Sequence, residues 1–137
     1  MHYITRSMVG ITVGKQDEAI ELPIGLRAYL EKLFITALTT MDGRMHALKK
    51  QFNLKYHIPL YINHKRAFYL THPLRDLNTV CINYYQVLSI IKDSNGKGIV
   101  VFKDLSRLKI NVDFARLKQK HEKTGKILNA IKNFVSA

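Results

Sequence analysis

Between His57 and Val87 the chain carries three short apolar runs separated by basic turns, and no other feature constrains its fold as strongly. The first run ends in Ile58-Pro59-Leu60-Tyr61-Ile62-Asn63. The second is Ala67-Phe68-Tyr69-Leu70-Thr71, and the third is Val80-Cys81-Ile82-Asn83-Tyr84. Short runs rich in β-branched and aromatic residues, bounded by turn residues, read as strands. His64, Lys65, Arg66, His72 and Arg75 fill the connections, so cationic side chains are placed at the ends of a sheet.

The flanking segments extend this frame. Val9, Ile11 and Val13 alternate with Gly10 and Thr12 as a strand, Gly14-Lys15-Gln16-Asp17 reads as a turn, and Ala19-Ile20-Glu21-Leu22 returns as its hairpin partner. After Pro23, Leu26, Tyr29, Leu30, Leu33, Phe34, Ala37 and Leu38 follow helical spacing, with Thr39-Thr40 ending the helix. Asp42-Gly43 initiates a second, short helix with Met45, Leu48 and Phe52 on one side and Lys49 and Lys50 on the other. Gln86–Ile91, Gly98–Phe102 and Leu108–Val112 read as further strands, the first two joined by the Asp93-Ser94-Asn95-Gly96 turn. Asp113 is placed to cap a last helix with Leu117, Thr124, Leu128, Ile131 and Val135 in one stripe, weakened at Gly125 by about 1 kcal/mol. The expected fold is α+β: an antiparallel or mixed β-sheet with flanking helices and a C-terminal helix, in one domain over residues 1–137.

Charge points to the partner. The formal net charge is +12. Residues 1–40 balance four basic side chains with four acidic ones, whereas the rest hold eighteen against six. An excess confined to one part of a chain favours a polyanion, either nucleic acid or an anionic membrane, with nucleic acid ahead; the alternative is charge that only keeps the protein in solution. No apolar stretch reaches membrane-spanning length and the N-terminus has no secretory pattern, so a cytoplasmic, nucleoid-associated protein is expected.

Catalytic and metal chemistry find little support. Cys81 is a lone cysteine inside an apolar strand and reads as a buried, inert thiol. His57, His64 and His72 lack ligand spacing and have Lys and Arg for neighbours, so they read as surface or phosphate-contacting groups. Phosphate loops, nucleophile elbows and dinucleotide fingerprints are absent from the sequence. No enzymatic activity, metal or cofactor is expected.

The residues expected to contact DNA are Arg44, Lys49 and Lys50 around the second helix, His64, Lys65 and Arg66 in the strand turn, Arg75 beyond it, and Arg116, Lys120 and Lys123 on the last helix. Arg66 suits a narrow AT-rich minor groove because guanidinium is weakly hydrated. Arg44 and Lys65 suit phosphates. Leu128, Ile131 and Val135 are one candidate contact between copies, the alternative being that the stripe packs on the sheet.

The chain resembles the ComK family of competence transcription factors. Thr40-Met41-Asp42-Gly43-Arg44 stands at the family's S-Y-E-G-R element and Ile58-Pro59-Leu60-Tyr61-Ile62 at its I-P-I-x-I strand. Phe68-Tyr69-Leu70-Thr71 occupies the F-F-P-T position, and Cys81-Ile82-Asn83-Tyr84 the W-I-N-Y position, with Cys for Trp. Tyr3 to Ile11 looks like the family's opening strand. The resemblance implies a transcriptional regulator that binds AT-rich double-stranded DNA as a homo-oligomer, with a protease adaptor or RNA polymerase as further partners. Ile90-Ile91 through Asn111 also resembles part of the LytTR DNA-binding domains. A non-enzymatic adaptor for an acidic protein partner is the alternative from another class.

Overall fold

The computed structural model describes residues 1–15 and 18–136. Gln16 and Asp17 of the expected turn therefore lie outside the described residues, while Gly14 and Lys15 belong to a strand. The strands are β1 (Tyr3–Arg6), β2 (Ile11–Lys15), β3 (Glu18–Leu22), β4 (Leu60–Asn63), β5 (Arg66–Leu70), β6 (Val80–Asn83), β7 (Val87–Lys92), β8 (Lys97–Phe102) and β9 (Arg107–Asp113). The helices are α1 (Leu26–Thr36), α2 (Met41–Phe52) and α3 (Phe114–Ser136). The expected α+β class with a C-terminal helix is what the chain adopts. The strands form two sheets, and every pairing is antiparallel.

The larger sheet has six strands in the order β3-β2-β1-β6-β5-β4, and the smaller has the order β7-β8-β9. Successive side chains on a strand face opposite sides, and this alternation sorts two cores. Phe68, Ile4, Val13, Ile62 and Cys81 pack with Leu30, Leu33 and Phe34 of α1 on one face. On the other, Tyr69 and Ile82 meet Val100, Phe102, Ile110 and Leu117, which belong to the smaller sheet and α3. Burial pushes the Cys81 thiol up to about 12, against the nearby positive charge of Arg6, so the buried thiol stays protonated.

Several element ends differ from expectation, each for a local reason. The Tyr3–Ile11 segment is not one strand: Ser7 and Gly10 exchange backbone hydrogen bonds (3.0 and 3.3 Å) in the turn from β1 to β2. Helix α1 stops at Thr36, with Leu38 left-handed (φ 59°) and exposed, so Thr39-Thr40 does not end it. Thr40 instead caps α2, its Oγ1 accepting the Gly43 N–H at 3.0 Å. β4 begins at Leu60 because residues 53–59 form a loop with left-handed Asn53 and His57. Tyr84 belongs to a 3₁₀ turn (Tyr84–Gln86) that carries the chain from one sheet to the other.

Asp113 ends β9 rather than acting only at a helix start. Its carboxylate accepts from Lys97 Nζ at 3.2 Å, and the Phe114 N–H goes to the Gly96 carbonyl at 3.0 Å. The buried stripe of α3 is Leu117, Thr124, Leu128 and Ile131, whereas Val135 is exposed. Leu128 and Ile131 therefore belong to the core shared with Leu48 and Ala67, and the expected contact between copies loses two of its three residues. Gly125 has a packing role in addition to its helical cost. A Cβ there would collide with the Tyr84 hydroxyl and reach Cζ at 3.1 Å, so glycine lets α3 lie against the 3₁₀ turn.

Candidate nucleic-acid interface

Helix α3 has 23 residues and is about 34 Å long at the α-helical rise. Its apolar stripe is fixed to the sheets, which leaves Arg116, Lys118, Lys123 and Lys126 exposed. Arg116, Lys120 and Lys123 recur at i, i+4 and i+7, so they share one flank. Lys120 is held there: its Nζ donates to the carbonyls of Leu70 (3.0 Å) and Thr71 (3.2 Å) at the end of β5.

The facing wall is the loop between α2 and β4. Asn53 ends α2 in the left-handed conformation, and its amide donates to the Lys49 carbonyl. This turns Lys55, Tyr56 and His57 toward the α3 flank. Tyr56 is 78% exposed. Two clefts follow the seam and share His57. One, of about 300 Å³, lies among His57, Tyr69, His72, Arg116, Lys120 and Thr124. The other is wider, about 540 Å³, and includes Lys55, Tyr56, His57, Lys123 and Lys126.

The groove's electrostatics are one-sided. Among the described residues that line the two clefts there is no carboxylate. Burial lowers the pKa of His57, and the charges of Lys120, Lys123 and Arg116 lower it further. Lys120 is lowered by burial and by Arg116. Like charges one helical turn apart repel by a few tenths of a kcal/mol each, roughly 0.2–0.5. The fold thus holds cations together at a cost that a polyanion would offset.

The sequence-predicted residues divide between this groove and other places. Arg116, Lys120 and Lys123 come together in it, joined by His57 and His72. Arg75 is exposed two residues beyond Pro73, which lines the smaller cleft. Lys49 and Lys50 occupy the exposed last turn of α2, where they complement its negative end. His64 and Lys65 sit on the β4–β5 turn, ordered by Asn63 Oδ1, which accepts the N–H groups of Lys65 (2.8 Å) and Arg66 (2.9 Å). His64 lines a cleft of about 430 Å³ with Tyr84, Tyr85 and Lys132, toward the far end of α3.

Arg66 and Arg44 have other surroundings. By strand alternation Arg66 shares the face of Phe68, the α1 side, where its charge acts on Tyr29 and the terminal amine. That is opposite α3. Arg44 Nη1 donates to the carbonyls of Tyr61 (3.1 Å) and Ile62 (3.3 Å), with the guanidinium 5.2 Å from the Tyr61 ring centroid. It ties α2 to β4. Arg44→Ala is expected to destabilise the fold by about 1.5–3 kcal/mol, the range for hydrogen bonds from a charged donor. Urea unfolding followed by circular dichroism measures this, and an unchanged midpoint would remove the structural role.

Lys55, Tyr56, His57, His72 and Lys126 complete the groove although sequence spacing did not select them together. His57 and His72 were read from the sequence as surface or phosphate-contacting groups, whereas Lys55 and Tyr56 carried no such signal. Among the described residues, no group of three or more His, Cys, Asp or Glu side chains could hold a metal ion. No described helix is long and apolar enough to cross a membrane.

The chain is thus an α+β protein with a cationic groove along a surface helix. A family model described as "ComK protein" matches residues 3–134, nearly the whole chain, and the chain belongs to this family. No curated protein and no solved structure matches it.

Proposed function

We propose that this protein is a sequence-specific, non-enzymatic transcriptional regulator of the competence type, which binds AT-rich double-stranded DNA through the groove along α3. The convergence of Arg116, Lys120, Lys123 and Lys126 with Lys55 and His57, in a seam where no described lining residue is a carboxylate, carries this reading. Family membership supports it. Phosphate contacts from these cations set affinity and orientation, and nearby turns read groove shape. His64 and Lys65, on the β4–β5 turn beside the C-terminal half of α3, give a second, separate phosphate contact. The chain acts as one domain, with a second copy on adjacent DNA enlarging the contact, in the cytoplasm at the nucleoid.

Fluorescence anisotropy with AT-rich and GC-rich duplexes of equal length tests the reading. Five permanent cations line the groove: Lys55, Arg116, Lys120, Lys123 and Lys126. If four or five neutralise phosphates, log K falls against log salt with a slope of about −4. The AT-rich duplex should bind at least several-fold tighter. Equal affinity for both duplexes would remove the sequence preference, and a slope near zero would remove the phosphate interface.

A further inference from the structure

The smaller cleft differs from the rest of the groove. Basic groups from three segments converge on it: His57 from the loop after α2, His72 from the β5–β6 connection, and Arg116 and Lys120 from α3. At about 300 Å³ it is large enough for a phosphate group with part of its attached sugar, and it is more enclosed than the adjoining cleft. We propose that this end of the groove is a receptor for a single phosphate group, held between Arg116 and Lys120 of α3 and the imidazoles of His57 and His72.

Lys120 and His72 are positioned with donor capacity to spare. The Lys120 ammonium has three donors, and two carbonyls take two of them. His72 places Nδ1 2.9 Å from Thr71 Oγ1, leaving Nε2 for another partner. The connection carrying His72 is itself fixed: Thr79 Oγ1 donates to the His72 carbonyl at 2.8 Å, and the Val80 N–H donates to Thr71 Oγ1 at 2.9 Å. Arg116 lies near the start of α3, whose first turn contains no acidic residue, so its charge stands at the positive end of the helix. Guanidinium presents paired N–H groups that match phosphate oxygens. Donors converging from three segments, two of them held in place, favour a compact tetrahedral anion over a planar carboxylate.

Phosphate entry is coupled to proton uptake. The groups facing His57 and His72 are Arg116, Lys120 and Lys123 from α3, Thr71 beside His72, and the Tyr69 phenol from β5, which burial keeps neutral. Burial and positive neighbours disfavour the His57 imidazolium, whereas a bound anion favours it. Binding therefore raises the His57 titration midpoint, and by linkage lower pH strengthens binding. The proposal rests on the DNA reading only for the source of the phosphate, which is either the duplex backbone or a free phosphate.

The test follows the histidine Cε1–H resonances of the full chain by NMR from pH 5 to 8, at constant ionic strength. Inorganic phosphate, an AT-rich duplex, and acetate as a carboxylate control are added separately. Inorganic phosphate is expected to raise the His57 midpoint by about one unit, a tenfold coupling between proton and phosphate, and to shift the His72 resonance. Acetate should move them far less, and Arg116→Gln should weaken phosphate binding at least tenfold with circular dichroism unchanged. Arg116→Lys, which keeps the charge but removes the paired N–H groups, replaces it as the test variant if Arg116→Gln unfolds. Duplex shifting the same resonances assigns the phosphate to the DNA backbone. Duplex that binds without moving them assigns the receptor to free phosphate. If the duplex fails to bind while inorganic phosphate still shifts both histidines, the DNA reading falls and the receptor stands. Midpoints unmoved by phosphate and duplex alike would overturn the receptor, even where anisotropy shows DNA bound elsewhere.

Discussion

Replacing Arg116, Lys123 and Lys126 together by Gln is expected to weaken duplex binding roughly 100-fold at near-physiological salt and to lower the salt slope by about 3. All three side chains are exposed on α3, and Gln keeps a long stem with good helix propensity. Lys120 is left in place because its hydrogen bonds to Leu70 and Thr71 also hold α3 to β5. The loss should be nearly equal on AT-rich and GC-rich duplexes, since phosphates carry no sequence. A second triple variant, at Lys49, Lys50 and Lys103, removes the same charge from exposed positions off the groove. It should lose less than about tenfold. Equal losses in the two variants would show that net charge, rather than the groove, governs binding.

Gly10→Ala is expected to cost about 3 kcal/mol or more, the largest single-residue effect on stability in this account. Gly10 has φ +153°, a conformation that side-chain-bearing residues rarely adopt. Space is lacking as well. A Cβ there would collide with the Leu22 carbonyl oxygen and lie 2.7 and 2.8 Å from the backbone N and O of Ile24. Those atoms cannot give way easily, because Leu22 pairs with Ile11 in the sheet and Ile24 leads into α1. Thermal unfolding should show the midpoint lowered by roughly 10 °C or more. Gly25→Ala is the matched control: nothing lies within 4 Å of its Cβ position, and the change should stay within about 1 kcal/mol. A Gly10→Ala midpoint within 2 °C of the parent would contradict the packing described around the β1–β2 turn.

Period and turn chemistry made most elements legible. Leu26, Leu30, Leu33 and Phe34 set the inner face of α1, and Asp93-Ser94-Asn95-Gly96 marked the β7–β8 hairpin, where Asp93 Oδ1 accepts the N–H groups of Asn95 and Lys97 at 2.8 Å. Element ends depended on tertiary partners that no local pattern records. Asp113 was readable as a helix cap but pairs across the sheet with Lys97. Thr40, read as ending one helix, caps the next.

The site was less legible than the fold. A basic helix is visible in sequence, but the residues facing it come from loops whose positions depend on left-handed Asn53 and His57. Arg44 and Arg66 show the converse. As charged residues near turns they resembled DNA contacts, yet the carbonyls of Tyr61 and Ile62 engage Arg44, and strand parity turns Arg66 toward α1. Composition located the charge, and topology decided which cations face one another.

Amide chemical-shift mapping of the full chain during titration with an AT-rich duplex tests the central claim most directly. Perturbations should concentrate at residues 55–57, 72–75 and 116–126, with a smaller set at 64–65, and should disappear as salt is raised. Shifts clustered instead on α1, β3 or the outer surface of β7–β9, with the α3 flank unmoved, would contradict the groove as the DNA-binding surface.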